Sequence, residues 1–268
     1  MTTLASPASP IGIFDSGLGG LSVLREVRQL LPAEDLIYFA DSAYCPYGSR
    51  TPEEILTRGL AITGELTRQG VKLIIVACNT ASSVAIDDLR VECAVPIVGL
   101  EPAVKPAVKR SRTGRIAVLA TPRTVAGQRL ADLVARHGNG ADVRLVPAPG
   151  WVDLVESGRT SGPEAERAVV PLVEPLMRAG VDTLVLGCTH YPFLRPIIER
   201  VTGPDVAVID SGEAIARRAR DVLAAASLLR VTETPGSLSF FTTGLAEPVG
   251  DLFARLLGLP VTANTLAV

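Results

Sequence analysis

The sequence predicts an α/β protein with two pseudo-symmetric α/β domains, each built on a mainly parallel sheet. Short apolar runs rich in Val, Ile and Leu alternate with longer segments of helical periodicity along the 268 residues, and consecutive parallel strands need such crossover helices. The composition is 47% hydrophobic but only 4% aromatic, which suits strands of small aliphatic residues buried beneath helices. An internal repeat divides this pattern into two halves.

The predicted elements follow one another in a regular order. The runs expected to form strands are 11–14, 36–39, 73–76, 97–98, 116–119, 143–146, 183–186 and 206–209. The segments with apolar residues at helical spacing are 21–31, 52–69, 125–137, 163–179 and 212–229. One more strand at 238–242 and a short helix near 248–257 are expected in the C-terminal part.

The internal repeat relates residues 66–78 to residues 176–188, at a constant offset of 110 residues. Leu, Arg, Gly, Val and Cys recur in register, and each copy is typical of a helix that ends at Gly, a buried strand and a final cysteine. The repeat favours two related halves, each with a thiol at the carboxyl end of a strand. The alternative is that any two α/β units look alike at this level.

The chain is expected to cross between the two domains twice. The Gly-Leu-Glu-Pro segment at 99–102 predicts the first crossing, and Asp-Ser-Gly at 210–212 predicts the return. The first domain then comprises residues 1–99 plus 212–268, and the second comprises residues 100–211. Because ligands of such sheets bind at the carboxyl ends of the strands, the cleft between the domains is the expected active site.

Charge and composition favour a small-molecule substrate over a macromolecular partner. The net charge is −2 without clustered Lys or Arg, so neither nucleic acid nor an anionic membrane is expected. No apolar stretch approaches the ~20 residues of a membrane span, and residues 1–10 lack the features of a signal peptide, so a cytoplasmic location is predicted. No Schiff-base lysine motif, C-x-x-C pair or other metal-ligand cluster is visible, so neither pyridoxal phosphate nor a metal is expected.

Two of the four cysteines occupy positions that suggest chemistry. Cys78 and Cys188 each follow an apolar strand and precede a helix-like segment. Backbone N–H groups at such a junction are expected to lower a thiol pKa below ~8.5. Free cysteine is otherwise a common buried filler, but matched positions in a repeat favour a functional pair. Cys45 and Cys93 have no such match and are interpreted as incidental.

Polar residues beside the two thiols can bind a carboxylate or act as helix caps. Asn79, Thr80 and Thr189 offer amide and hydroxyl groups at predicted helix N-termini, where both roles are compatible. His190 follows Cys188 by two positions and can relay protons or play a structural part. The other histidine, His137, is expected to be a solvated residue at a helix end.

Two loops complete the predicted edge of the first sheet. The loop at 14–20 is rich in glycine, but its spacing matches neither the dinucleotide nor the P-loop pattern. Asp15 in this loop could assist a base, bind an ammonium group or simply cap a helix. The second loop brings a further acid, Asp41, with Ser42 and with Tyr47, which is able to line a pocket.

Five ordered motifs carry a resemblance to a known family. They are Asp15-Ser16-Gly-Leu-Gly-Gly, Asp41-Ser42 with Pro46-Tyr47-Gly48, Cys78-Asn79-Thr80-Ala-Ser, Trp151-Val-Asp-Leu-Val-Glu156 and Gly-Cys188-Thr189-His190-Tyr-Pro. Over roughly residues 11–258 the chain resembles glutamate racemases of the aspartate/glutamate racemase family. The resemblance implies two pseudo-symmetric domains that enclose glutamate, a reaction without cofactor or metal, and a role in supplying D-glutamate for peptidoglycan synthesis.

The resemblance also implies roles for individual residues. Cys78 would be the base for D-glutamate with Asp15 assisting it, and Cys188 would be the base for L-glutamate with His190 and Glu156 assisting it. The residues implied in substrate binding are Asp15, Ser16, Asp41, Ser42, Tyr47, Gly48, Asn79, Thr80, Thr121, Thr124, Thr189 and His190. The chain departs from the family where Gly127 and Leu130 replace a common serine and tyrosine.

Other functions remain compatible with the sequence. The nearest is a related racemase for aspartate or another small acid, or an isomerase or decarboxylase that uses the same cysteine pair. A non-catalytic amino-acid sensor is the alternative from another class, although a sensor has no need of two opposed thiols. A homodimer is the expected assembly if the chain is not monomeric.

Overall fold

Two parallel sheets organise the protein, for which a computed structural model describes residues 5–268. The strands are β1 (Ile11–Asp15), β2 (Leu36–Ala40), β3 (Leu73–Val76), β4 (Ile97–Gly99), β5 (Arg115–Ala120), β6 (Asp142–Pro147), β7 (Thr183–Leu186), β8 (Ala207–Ile209), β9 (Leu238–Thr242) and β10 (Ala263–Thr265). The first sheet has the order β10-β9-β2-β1-β3-β4, and the second has the order β6-β5-β7-β8. Every pairing in both sheets is parallel.

Eleven α-helices in the described part of the chain connect and cover these strands. They are α1 (Leu21–Leu30), α2 (Pro52–Arg68), α3 (Asn79–Glu92), α4 (Val104–Arg110), α5 (Pro122–Ala126), α6 (Gln128–His137), α7 (Trp151–Glu156), α8 (Gly162–Arg178), α9 (Arg195–Thr202), α10 (Gly212–Ala225) and α11 (Ala246–Leu257). None of the helices within residues 5–268 has the length and apolar character needed to cross a membrane.

The two sheets share one strand order. When the strands of each half are counted along the chain, the second lies beside the first, the first beside the third, and the third beside the fourth. The order is β2-β1-β3-β4 in one half and β6-β5-β7-β8 in the other. The strands β9 and β10 extend the first sheet beyond β2. The predicted architecture of two pseudo-symmetric α/β halves is therefore confirmed, and each thiol of the repeat follows the third strand of its half.

The central strands are buried on both faces, as the unbroken apolar runs predict. All residues of β1, β3 and β7 are buried. In β1, Ile11 and Ile13 pack in a core that contains side chains of α1 and α10, whereas Phe14 packs in the opposite core against α2 and α3. This alternation follows the two-residue period of a strand.

Several predicted boundaries differ from the structure. The segment 125–137 is not one helix, because Gly127 adopts an extended conformation (φ −78°, ψ 135°) between α5 and α6. The segment 212–229 ends as α10 at Ala225, and Ser227 then takes a positive φ of 57°. The strand β10 and the helices α4, α7 and α9 were not predicted, since they are short and lack a periodic signal long enough to read.

A buried ion pair fixes the N-terminal segment to the first sheet. Lys72 and Glu34 lie 2.5 Å apart with side-chain exposures of 0% and 1%. The Lys72 ammonium also donates to the carbonyl oxygens of Pro7 and Leu228, at 2.6 and 2.9 Å. Removing one partner of such a buried ion pair is costly, because the remaining charge is left without a partner and without contact with water.

We expect Lys72→Met to lower the free energy of unfolding by about 3–5 kcal/mol, because it leaves the Glu34 carboxylate buried and unpaired. The double variant Lys72→Met/Glu34→Gln should lose less. Urea unfolding followed by circular dichroism measures both. The control is Arg178→Met, which removes an exposed pair with Glu174 and should cost below about 1 kcal/mol; equal losses at the two sites would contradict the prediction.

Candidate active site

The carboxyl ends of the central strands of both sheets meet at one place. Thr189, which follows β7, donates a hydrogen bond of 2.9 Å from its hydroxyl to the carboxylate of Asp15, the last residue of β1. The hydroxyl of Thr80, which follows β3, lies 3.2 Å from the hydroxyl of Thr121, which follows β5. Both contacts are buried. The site expected in the cleft is therefore formed by loops of both halves.

Cys78 stands at the N-cap of α3 with its side chain only slightly exposed. Its Sγ accepts a hydrogen bond from the backbone N–H of Ala81 at 3.4 Å, and it donates to the hydroxyl of Ser16 at 3.6 Å. Burial raises the pKa of the Cys78 thiol to about 12, and the nearby Asp15 carboxylate adds to the rise. The predicted lowering of this pKa is thus wrong for Cys78, because desolvation outweighs the helix N-terminus.

Cys188 occupies the equivalent position after β7 and has a histidine beside it. Its Sγ lies 3.6 Å from Nδ1 of His190, whose Nε2 lies 2.5 Å from Oε1 of Glu156. Burial by itself lowers the pKa of His190, but hydrogen bonds with Cys188, Cys45 and Glu156 outweigh it and raise that pKa well above the usual value. The His190 ring therefore carries a positive charge beside the Cys188 sulfur.

Asp15 lies between the two thiol environments and is fully buried. Its carboxylate accepts hydrogen bonds from the backbone N–H of Gly17 at 2.8 Å, from Thr189 and, more weakly, from Ser16 at 3.3 Å. Burial raises the pKa of Asp15 to about 6, although the positive charge of His190 and these hydrogen bonds oppose the rise. Ser16 thus links the carboxylate to the Cys78 thiol.

Two buried polar atoms of the predicted site residues lack partners. Among the described residues, the amide nitrogen of Asn79 and the hydroxyl of Ser42 are buried and make no hydrogen bond. The hydroxyls of Thr80, Thr121 and Thr124 form a buried cluster with separations of 2.9–3.4 Å. Buried polar groups are normally paired, so Asn79 and Ser42 are free to hold a polar ligand, whereas the three threonine hydroxyls bond to one another.

Asp41 is engaged by its own half of the protein. Its carboxylate forms a bidentate ion pair with Arg58 at 2.9 Å for both bonds, and it accepts from the hydroxyls of Tyr47 at 2.6 Å and Thr243 at 2.8 Å. The backbone after Tyr47 then lies near the second half, since a Cβ on Gly48 would lie 3.5 Å from Thr121. Asp41 therefore positions this loop rather than offering a free carboxylate.

The two positions that depart from the family pattern have structural roles. Gly127 separates α5 from α6. Leu130 is buried in the core of the second half, where it packs with Leu133 and Val185. Neither residue supplies a polar side chain to the site.

Sequence reasoning missed one residue of the site. Cys45, interpreted as incidental, lies with Glu156 and His190 in a cluster whose ligand atoms are all within 4.8 Å of one another. No local signal could have revealed this, because Cys45 belongs to the first half whereas both neighbours follow strands of the second. Cys93 lies elsewhere, with its Sγ 3.5 Å from the hydroxyl of Thr67.

Comparison with known proteins agrees with this architecture. Residues 11–219 match the model of the Asp/Glu/Hydantoin racemase family, and the chain belongs to that family. A curated glutamate racemase of Herpetosiphon aurantiacus is 51% identical over 237 residues, which cover 88% of this chain and 92% of that protein.

Solved structures extend the similarity to the fold. Glutamate racemase of Escherichia coli, in complex with L-glutamate and the activator UDP-MurNAc-ala, matches with a TM-score of 0.84 and 33% identity over 97% of this chain and 99% of that one. The enzyme of Francisella tularensis in complex with D-glutamate also matches with a TM-score of 0.84, at 28% identity over 97% and 98% of the two chains.

We expect Asp15→Asn to stabilise the protein at pH 7.5. Burial raises the pKa of Asp15 from 3.8 to about 6 in the folded protein. The free energy of unfolding of the wild type therefore falls as pH rises from 3.8 through 6, by about 3 kcal/mol at most. Asn keeps the acceptor for Gly17 and avoids the buried charge. Urea unfolding at pH 7.5 should therefore show a gain of about 1–3 kcal/mol, which disappears near pH 4.

Asp182→Asn is the matched control of opposite sign. Burial raises the pKa of Asp182, but hydrogen bonds from Ser111, Thr113, Arg112 and Thr183 outweigh it and lower the pKa to about 2. The stability that this carboxylate contributes is present above pH 3.8 and lost as pH falls through 2, so its removal should cost about 2 kcal/mol at pH 7.5. Destabilisation by both substitutions would show that the Asp15 site tolerates its charge.

Proposed function

We propose that this protein interconverts L- and D-glutamate by a cofactor-independent 1,1-proton transfer between Cys78 and Cys188. Curated relatives named glutamate racemase support the substrate and the reaction, at 51% identity over 88% of the chain and at 41% over 99%. The observation that carries the mechanism is the pair of buried thiols at equivalent positions of two sheets whose carboxyl ends meet. The relatives solved with D-glutamate and with L-glutamate support binding of both enantiomers.

The two-thiol arrangement suits inversion of a stereocentre. A single fixed base returns the proton to the face from which it came, so inversion needs an acceptor on one face and a donor on the other. In the proposed reaction one cysteine is a thiolate and removes the α-proton, while the other is a thiol and delivers a proton to the opposite face. The two cysteines exchange roles when the reaction runs in reverse.

The neighbours of each thiol differ in charge. Cys78 is linked through Ser16 to the Asp15 carboxylate, whereas Cys188 contacts the positively charged His190, which Glu156 holds. We therefore assign Asp15 as the group that assists Cys78, and His190 with Glu156 as the pair that assists Cys188. By motif position, Cys78 acts on D-glutamate and Cys188 on L-glutamate.

The substrate carboxylates are assigned to buried donors of the site. Asn79 offers a buried N–H₂ group at the start of α3, and the hydroxyls of Thr80, Thr121 and Thr124 offer further donors. Fixed donors in a water-poor cleft also stabilise the charge that develops when the α-proton leaves. Ser42, the backbone of Tyr47 and Gly48, and Thr189 complete the proposed binding set.

The proposed biological setting follows from the product. D-Glutamate made here would supply peptidoglycan synthesis, and a cytoplasmic location fits because two free thiols persist in a reducing compartment. We assign residues 1–99 plus 212–268 to the first domain, since α10 packs in the core of the first sheet, and residues 100–211 to the second. A homodimer remains the proposed assembly.

We expect Cys78→Ala and Cys188→Ala each to abolish racemisation, because each removes one of two obligatory proton carriers. The assay follows D-glutamate formed from L-glutamate by chiral chromatography, with EDTA present and no added cofactor. Cys93→Ala should remain active. Retained turnover in either of the first two variants would exclude the two-thiol mechanism, and turnover of aspartate in preference to glutamate would exclude the assigned substrate.

Cys→Ser variants test which thiol faces which enantiomer. A serine hydroxyl is too weakly acidic to exchange roles, so racemisation should collapse in both variants. Elimination from a glutamate analogue with a leaving group at the β-position needs only one proton removal. Cys188→Ser should therefore still process the D-analogue through Cys78, and Cys78→Ser the L-analogue through Cys188. If both variants preferred the same enantiomer, the facial assignment would be wrong.

A further inference from the structure

Three potential metal ligands converge where the two halves of the protein meet. The Sγ of Cys45, a carboxylate oxygen of Glu156 and a ring nitrogen of His190 all lie within 4.8 Å of one another. Cys45 is in the loop that follows β2, whereas Glu156 ends α7 and His190 follows β7. Thiolate, imidazole and carboxylate together are the ligand types that Zn²⁺ prefers.

The positions of these atoms are close to those of a tetrahedral site. Ligand atoms about 2.0–2.3 Å from zinc are separated by about 3.4 Å, so movements of about 1 Å bring the three atoms to that spacing. Oε1 of Glu156 already accepts from the N–H of Leu18 at 2.7 Å. No hydrogen bond to Oε2 occurs within residues 5–268, so Oε2 can bind a metal while Oε1 keeps its bond to Leu18.

The cluster is accessible from solvent on one side. Cys45 is only partly buried, and the Glu156 side chain is 21% exposed against 2% for His190. A fourth coordination position can therefore be filled by water, as in zinc sites with three protein ligands. An ion can reach Cys45 and Glu156 first and His190 afterwards.

We propose that Cys45, Glu156 and His190 form a Zn²⁺-binding site whose occupation inhibits the protein reversibly. Binding converts the Cys45 thiol to a thiolate and the His190 imidazolium to a neutral ring, so two protons are released to solvent. Three metal–ligand bonds form, one each to Cys45, His190 and Glu156. Because binding releases protons, the affinity for Zn²⁺ should rise with pH.

Two consequences of binding explain the inhibition, which rests on the proposed roles of His190 and Glu156. Zinc on Nε2 of His190 replaces a proton of the imidazolium and removes the contact with Glu156, so Cys188 loses the His190–Glu156 pair that assists it in the proposed reaction. The ion also joins Cys45 of the first half to two residues of the second, which resists opening of the cleft. The metal is thus an inhibitor and not a cofactor.

Metal binding is tested directly and without reference to activity. Equilibrium dialysis of metal-free protein against Zn²⁺, and the thiolate-to-metal absorption of the Co²⁺ form, should show one site per chain in the wild type and in Cys93→Ala. The matched variants Cys45→Ala and Cys45→Ser, checked for folding by circular dichroism, should lose the absorption band. An unchanged band in both Cys45 variants, or no binding by the wild type, would overturn the proposal.

Inhibition is measured on the same proteins. In Cys45→Ala, assayed relative to its own metal-free activity, the Zn²⁺ concentration for half-inhibition should rise at least about 10-fold, since changes outside the ligand shell already cost that much. EDTA should restore the wild type. Equal sensitivity of Cys45→Ala and wild type would mean that zinc acts at Cys78 and Cys188 and would refute the site. Zinc binding in an enzyme that does not racemise glutamate would instead refute the proposed function alone.

Discussion

The hydrogen bond from Thr189 to Asp15 joins the two halves of the molecule at their centre. Thr189 is the residue after Cys188, and Asp15 ends β1, the neighbour of the strand that leads to Cys78. This buried contact therefore joins the loop of Cys188 to the strand beside the one that leads to Cys78. A buried carboxylate is costly unless it is hydrogen-bonded, and here Gly17, Ser16 and Thr189 supply its partners. One carboxylate thus holds three residues around the two thiols.

The glycine-rich loop after β1 makes this contact sterically possible. A Cβ on Gly17 would lie 2.8 Å from the sulfur of Cys45, and one on Gly19 would lie 2.6 Å from Cε1 of the His190 ring, which is closer than side-chain atoms pack. The glycines thus allow the loop of the first half to approach the histidine and glutamate of the second. Their spacing matched no phosphate-binding pattern in the sequence, and this close approach is the physical reason for them.

The sequence predicted the fold well where local pattern determines structure. Unbroken apolar runs identified β1, β3 and β7, and the repeat placed Cys78 and Cys188 at equivalent junctions. Prediction from the sequence failed where contacts between residues distant in the sequence determine the structure. The environment of Cys45 and the raised pKa of Cys78 both result from burial by elements far along the chain, and the break at Gly127 depends on one residue inside a helix-like pattern. The roles of the site residues remain predictions.

Burial of Cys78 suits the proposed proton abstraction from carbon better than the expected lowering of its pKa would. The α-proton of an amino acid is a far weaker acid than any thiol, so a thiolate with a raised pKa is the stronger base for removing it. The disadvantage is that less of the thiol is ionised before substrate binds. The two thiols differ in their neighbours, because a carboxylate lies near Cys78 and a positively charged ring lies beside Cys188. Burial and the Asp15 carboxylate disfavour a negative charge on Cys78, which suits the proposed role of Cys78 as the proton donor when L-glutamate is the substrate.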